Sequence, residues 1–226
     1  MKILVHDYAG HPFQVQLSRA LAARGHRVMH AYATALQTPR GELAPKAGDA
    51  PTLSLVPVEM DPDYARYKYS FLKRRRMEVA YGRRVAELVA AERPDVVLSS
   101  NTPTETQEPI FQASQRSGAA FFYWLLDFYS LAVDKLVRRK LPVVGAAIGS
   151  WYKRLEGRQL RGSAGVVAIT DDFAPILRGE FGVAAERITT IPNWAPLQSV
   201  PVSRRLPATP MRQPTPPLPS SALPRA

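Results

Sequence analysis

Ile188-Thr189-Thr190-Ile191-Pro192-Asn193-Trp194 reads as the last strand of an α/β domain followed by its exit turn, and the chain changes character immediately afterwards. From Ala195 to Ala226 there is no Asp or Glu, nine residues are Pro, and no apolar periodicity survives. Proline removes backbone donors, and a segment without an apolar face cannot offset the entropy of ordering, so 195–226 is expected to be a disordered tail. Residues 1–194 are then enough for one domain around one core.

Working back from that strand, the pattern alternates. Lys2 to Val5 is a short aliphatic run suited to a buried strand, and Gly10-His11-Pro12 is a turn with Pro near a helix start. Phe13, Leu17, Ala20, Leu21 and Arg24 predict one helical face, closed at Gly25; His26 to Tyr32 predicts a second strand and Leu53 to Val58 a third. Ser70 to Glu92 reads as a long basic helix with Tyr81, Val85, Leu88 and Val89 inward, ended by Arg93-Pro94 before a strand at Asp95 to Ser99. A helix to Ser117-Gly118, a strand at Ala119 to Leu125, helices at Ser130 to Arg139 and Ala146 to Arg161, and a strand at Ala164 to Ile169 follow. Thr170-Asp171-Asp172 caps the next helix, and Arg187 to Ile191 is the closing strand. Continuous apolar strands separated by helices predict an α/β fold, a Rossmann-like doubly wound parallel sheet. Ligands in such sheets sit beyond the carboxyl ends of the strands, which selects the turns Asp7 to His11, Ser100 to Thr102, Leu126 to Tyr129 and Thr170 to Asp172.

Composition narrows the chemistry. The absence of Cys excludes a disulfide framework, thiolate catalysis and Cys-based metal sites. The start, Met1-Lys2-Ile3-Leu4-Val5-His6-Asp7, has too few apolar residues for a signal-peptide core, and the run from Leu141 to Trp151 is too short to span a bilayer. A cytoplasmic location is expected, peripheral on the inner membrane face if the charge acts there. Net charge is +11, with clusters at Lys68, Lys73, Arg74, Arg75, Arg76, Arg83, Arg84 and at Lys135, Arg138, Arg139, Lys140. These read either as solvated helix faces or as a patch for a polyanion such as an anionic membrane surface.

No phosphate-loop, nucleophile-elbow or G-x-G-x-x-G motif is present. His26 and His30, on one strand, would stand about 13 Å apart, too far to share a metal. Asp61-Pro62-Asp63 matches D-x-D, but a Pro between two acids after a strand reads as a turn. His11 precedes a helix N-terminus, where it would contact a phosphate or sugar hydroxyl or simply pack. Asp127 ends a strand too apolar to hold a carboxylate inside, and serves there as a base, a hydroxyl acceptor or a helix cap.

Met1-Lys2-Ile3-Leu4-Val5-His6-Asp7, Leu21-Ala22-Ala23-Arg24-Gly25-His26-Arg27-Val28, Arg93-Pro94-Asp95-Val96-Val97-Leu98, Val167-Ala168-Ile169-Thr170 and the hinge-like Ile191-Pro192-Asn193-Trp194 together resemble the N-terminal domain of family 4 GT-B glycosyltransferases. Trp124-Leu125-Leu126-Asp127-Phe128-Tyr129 is similar to the exopolysaccharide and colanic-acid subgroup. The resemblance covers about residues 1–194. It implies a retaining hexosyl-type transferase of polysaccharide biosynthesis, moving a sugar from a nucleotide-sugar donor to a lipid-linked glycan acceptor, with no metal and no other cofactor. In that family the N-terminal domain receives the acceptor and the C-terminal domain grips the donor through paired glutamates. The acid-free tail carries none, so the donor domain is expected to be missing and the chain, as a truncated half, inactive alone. Many members have His-Asp after the fifth strand, where this chain has Leu126-Asp127, so only the acid carries over. The expected site is Asp127 and His11 in catalytic roles, with Gly10, Asn101, Thr102, Thr170 and Asn193 binding substrate. A non-enzymatic Rossmann-like polyanion-binding module is the alternative; nucleic acid is not an expected partner, because the basic clusters lack interleaved aromatics.

Overall fold

The structure is a computed structural model that describes residues 1–35, 40–67, 69–100 and 102–194; Lys68, Asn101 and the tail 195–226 lie outside the described residues. Seven strands, β1 (Lys2–Asp7), β2 (Arg27–Ala33), β3 (Leu53–Val58), β4 (Val96–Ser100), β5 (Ala120–Leu125), β6 (Gly165–Ala168) and β7 (Ile188–Thr190), form one sheet. Its order is β3-β2-β1-β4-β5-β6-β7, and every neighbouring pair is parallel. The chain winds outward from β1 in one direction and from β4 in the other. The expected doubly wound sheet is therefore the observed one, with its switch point between β1 and β4.

The helices α1 (Pro12–Ala23), α2 (Phe71–Glu92), α3 (Thr104–Ser117), α4 (Tyr129–Lys140), α5 (Pro142–Gly162) and α6 (Phe173–Gly179) flank the sheet. Side chains alternate along each strand, so β1 sends Leu4 into one core and Ile3 and Val5 into another. The larger core joins Leu4, Val97, Phe121, Tyr123 and Val166 to Tyr81, Val85 and Val89 of α2, Ile110 and Phe111 of α3, Leu160 of α5 and Leu177 of α6. The smaller core, Ile3, Val5, Val28 and Ala22, lies under α1. Each such buried aliphatic or aromatic residue contributes about 1.5–3 kcal/mol relative to exposure. Tyr81, Val85 and Val89 point inward as the 3.6-residue period requires, and Arg93 takes a left-handed conformation (φ 45°) that closes α2 ahead of Pro94.

Two local expectations fail for identifiable reasons. The buried face of α1 is Gln14, Val15, Ser18 and Ala22, whereas Ala20 and Arg24 are exposed. An apolar-period reading misses this face because two of its members are polar residues with buried partners. Helix α5 starts at Pro142 rather than near Ala146. Pro142 occupies the first turn, where its missing N–H costs nothing, and Gly145 lies so close to α4 that a Cβ would strike the Val137 carbonyl. The Asp61-Pro62-Asp63 segment is a turn: the Asp61 carboxylate accepts from the Asp63 amide (2.9 Å) and caps a short 3-10 helix, Pro62–Ala65. No helix among the described residues is long and apolar enough to cross a membrane.

Candidate functional site

Parallel pairing puts the carboxyl ends of β1, β4, β5, β6 and β7 on one edge, and the turns leaving them carry the residues singled out above. Gly10 and His11 follow β1, Thr102 follows β4, Asp127 follows β5, Thr170 follows β6 and Asn193 follows β7. Asn101 lies outside the described residues. Asp127 and Asn193 are exposed, His11 and Thr170 are half-buried, and Gly10 and Thr102 are buried.

The first turn is built by Asp7. Its Oδ1 accepts from the amides of Ala9 (3.2 Å) and Gly10 (2.7 Å), folding the chain back sharply. Gly10 has φ 79°, and a Cβ there would meet Leu43 Cδ1 at 3.3 Å, so conformation and space both favour glycine. The turn sets His11 at the N-cap of α1, where its ring stacks on Phe13 (5.3 Å between centroids, 15°). Partial burial lowers the His11 pKa, which favours the neutral imidazole. It is thus a hydrogen-bonding group and not a fixed cation.

Phe13 continues a wall of aromatics. Its ring meets Trp124 of β5 edge-on at 5.5 Å and Trp194 at 5.8 Å, while the two indoles face each other at 6.2 Å and 27°. The Trp194 Nε1 donates to Gln16 Oε1 (2.8 Å). Trp124 is buried and its Nε1 has no hydrogen-bond partner among the described residues. The wall ties the first turn to the end of β5 and to the exit after β7, three segments that are far apart in sequence.

Beneath the turns lies a buried polar layer that sequence reasoning missed. Ser99 Oγ donates to Gln107 Oε1 (2.6 Å), so it accepts from His6 Nδ1 (2.8 Å); His6 Nε2 then accepts from the Tyr81 hydroxyl (2.9 Å). The chain of donors runs Tyr81 to His6 to Ser99 to Gln107, with a single tautomer. Gln14, its NH2 turned toward Asp7, donates to the carboxylate (3.0 Å to Oδ2) and contacts Ser100 Oγ. His30 Nδ1 pairs with Ser18 Oγ (2.9 Å), and its Nε2 stands 3.6 Å from Asp7. Burial pushes His6 and His30 down to about 3 and Asp7 up to about 7. All three are neutral under mildly acidic conditions because the interior disfavours their charged forms. The available signal in the sequence was a His-Asp pair closing an apolar strand.

A second polar cluster joins α2, α3, α4 and α5. Buried Glu78 accepts from Tyr64 (2.7 Å) and Tyr8 (3.1 Å) and faces Arg74 (3.4 Å); Glu105 holds Arg75 through both oxygens (2.6 Å) and accepts from Tyr152 (2.7 Å). Arg84 reaches the Glu59 carbonyl (3.1 Å) and carboxylate (3.7 Å), and Lys73 sits over the Tyr67 ring at 4.1 Å. Of the six basic residues singled out on α2, Arg74, Arg75 and Arg84 are thus spent on carboxylates. Arg76 and Arg83 have no ion pair among the described residues. Buried Glu156 accepts from the Ser130 amide (3.1 Å) and hydroxyl (2.5 Å), capping α4 from a neighbouring helix. No group of three or more metal-ligating side chains occurs among the described residues.

Fold and turns together define a Rossmann-like domain with a cluster of aromatic rings at the carboxyl edge of a parallel sheet. Residues 11–194 match the family of the glycosyl transferase 4-like domain, and the chain belongs to it. No curated protein matches. Solved structures similar to it include Anabaena Alr3699/HepE, crystallised with UDP and glucose (16% identity, 85% of this chain and 44% of that one, TM-score 0.46). LpCGTa in complex with UDP is similar too (12%, 86% and 54%, TM-score 0.49), as is a glycosyltransferase from Rickettsia africae ESF-5 (13%, 87% and 46%, TM-score 0.44). The chain spans about half the length of these proteins.

Proposed function

We propose that this chain is the acceptor-binding half of a GT-B glycosyltransferase that moves a hexosyl unit, with retention, from a nucleotide sugar to a lipid-linked glycan acceptor in polysaccharide biosynthesis. The observation that supports the reading is that, in a chain of this family, His11, Thr102, Asp127 and Thr170 lie on the turns at one strand edge, the edge that also carries the rings of Phe13, Trp124 and Trp194. Aromatic faces suit the apolar faces of sugar rings, and polar groups at the turns suit their hydroxyls.

In this reading the exposed Asp127 carboxylate accepts a hydrogen bond from the acceptor hydroxyl and orients its oxygen. Neutral His11 hydrogen-bonds a second hydroxyl or a phosphate oxygen. The rate enhancement then comes from holding the acceptor oxygen against a donor carbon presented by a donor domain not found in 1–194. Neither a metal nor a further cofactor is assigned. Because the acceptor is lipid-linked, the enzyme works at the cytoplasmic membrane surface.

The test joins a donor-binding domain from a family member after Trp194 and measures sugar transfer. The joined enzyme should be active, His11→Ala and Asp127→Asn should each lower turnover by about 10²-fold, and residues 1–226 alone should be inactive. Transfer by the unjoined chain would overturn the division of labour. Full turnover in both variants would overturn the site.

A further inference from the structure

Helices α4 and α5 form a hairpin whose α5 end packs Leu160 into the larger core. The N-terminus of α4 is level with the middle of α5, since Ser130 meets Glu156 and the Tyr129 and Tyr152 rings are 6.5 Å apart. From there the two helices run together to the turn at Leu141: Asp134 reaches Lys153 (3.6 Å) and lies against Gly149, and Val137 lies against Gly145. A Cβ at Gly145 would collide with the Val137 carbonyl, and one at Gly149 with the Asp134 carboxylate. Gly145-x-x-x-Gly149 therefore brings the backbones together and makes the hairpin stiff. The twelve residues of α4 make the hairpin about 16–18 Å long from Tyr129 to its tip at Leu141.

The hairpin wears the wrong surface for water. Leu136, Leu141, Val144 and Trp151 are 51%, 53%, 59% and 46% exposed, and the sixteen residues from Leu136 to Trp151 contain three basic residues and no acid. Lys135, Arg138, Arg139 and Lys140 are exposed around them; Arg138 pairs with Asp134 (2.7 Å), and the other three have no ion pair among the described residues. At the base of the hairpin, where Arg74 of α2 meets Tyr129 of α4 (3.3 Å), the start of α2 adds exposed Phe71 and Leu72 beside Lys73 and Arg76. A last turn rich in Lys and Arg favours the helix dipole of α4, but that does not account for the exposed leucines, valine and tryptophan spread along the hairpin.

Apolar knuckles ringed by cations match one environment, the headgroup boundary of an anionic bilayer. We propose that the α4–α5 hairpin is the membrane-docking element, with Leu141, Val144 and Trp151 entering the headgroup region and Lys135, Arg139 and Lys140 facing anionic phosphates. Docked this way, the hairpin lies along the surface, since Val144 and Trp151, seven residues apart, share one face of α5. The inference deepens the lipid-acceptor reading by naming where the bilayer sits, yet it needs no acceptor to be tested.

The experiment uses residues 1–226 and vesicles of phosphatidylglycerol with phosphatidylcholine, against phosphatidylcholine alone, without any acceptor lipid. The chain should co-sediment with the anionic vesicles, and the bound fraction should fall with added salt. Leu141→Glu with Val144→Glu should weaken binding about tenfold or more, and so should Arg139→Glu with Lys140→Glu. Brominated lipids should quench an emission component that Trp151→Phe removes, a readout in the native chain that does not depend on the glutamate variants folding. Failure to bind anionic vesicles, or quenching unchanged by Trp151→Phe, would overturn the proposal. Transfer to a soluble acceptor by a joined enzyme that binds vesicles would leave the docking element standing and sink the lipid-acceptor reading instead.

Discussion

Replacing Asp7 by Asn tests the electrostatics beneath the candidate cleft. The substitution keeps the oxygen that receives the Ala9 and Gly10 amides and removes only the ability to ionise. In the folded chain burial raises Asp7 to about 7, against an ordinary 3.8. A raised carboxyl favours folding below its unfolded pKa, and that advantage is lost as pH rises through 7, because the unfolded chain ionises freely. As pH falls from about 8 to about 5, the wild type should therefore gain on Asp7→Asn by about 2–3 kcal/mol, at 1.36 kcal/mol per unit. The buried imidazoles of His6 and His30, lowered to about 3, act in the opposite sense, losing stability as pH falls below 6.5. They cancel when the two proteins are compared at each pH. Urea unfolding at matched pH should show the difference as a midpoint shift of about 1 M with unchanged slope. A constant difference would refute the neutral carboxyl. A difference of reversed sign would mean that Asp7 is ionised against a protonated His30, 3.6 Å away.

Gly82→Ala should lower the melting temperature by several degrees, about 1–3 kcal/mol, because its Cβ would collide with the Thr106 carbonyl where α2 crosses α3. Glu156→Ala should cost about 1–3 kcal/mol and speed amide exchange in the first turn of α4, since the Ser130 amide loses its acceptor; unchanged exchange would show that α4 needs no such cap. Phe13→Ala removes ring contacts to Trp124 and Trp194 worth about 0.5–1.5 kcal/mol each, and should change Trp194 emission and weaken sugar binding while the fold survives. In a joined enzyme, turnover of His11→Ala and Asp127→Asn reports on the two roles proposed for the cleft.

The parallel sheet was legible because strands buried on both faces are written as continuous apolar runs. Leu53–Val58 is a strand over the residues its composition suggests, and Gly118, at φ 75°, ends α3 where the sequence places a stop. The parallel direction followed from the alternation of strand and helix, whereas the order β3-β2-β1-β4-β5-β6-β7 was not read from the sequence. The inner layer was hidden because burial of a polar side chain depends on partners remote in sequence. His6 bonds Ser99, 93 residues on, and Gln14 meets Ser100, 86 residues on. With no local period to mark Gln14 and Ser18, the apolar residues of α1 suggested the wrong face. Trp194 was legible as part of the exit turn after the closing strand, but its packing on Phe13 and Trp124 needed three segments to be brought together. Likewise the basic residues of α2 could be counted, but not paired, without knowing that α3 brings Glu105 to Arg75.

The central claim, that the carboxyl edge of this sheet receives the acceptor while the donor is held elsewhere, is tested most directly by amide chemical-shift mapping of residues 1–226. A polyprenyl-phosphate-linked sugar should shift Gly10, His11, Thr102, Asp127 and Thr170, and UDP-glucose at the same concentration should leave those amides where they are. Saturable shifts from UDP-glucose at that edge, or acceptor-induced shifts confined to the opposite edge, would contradict it.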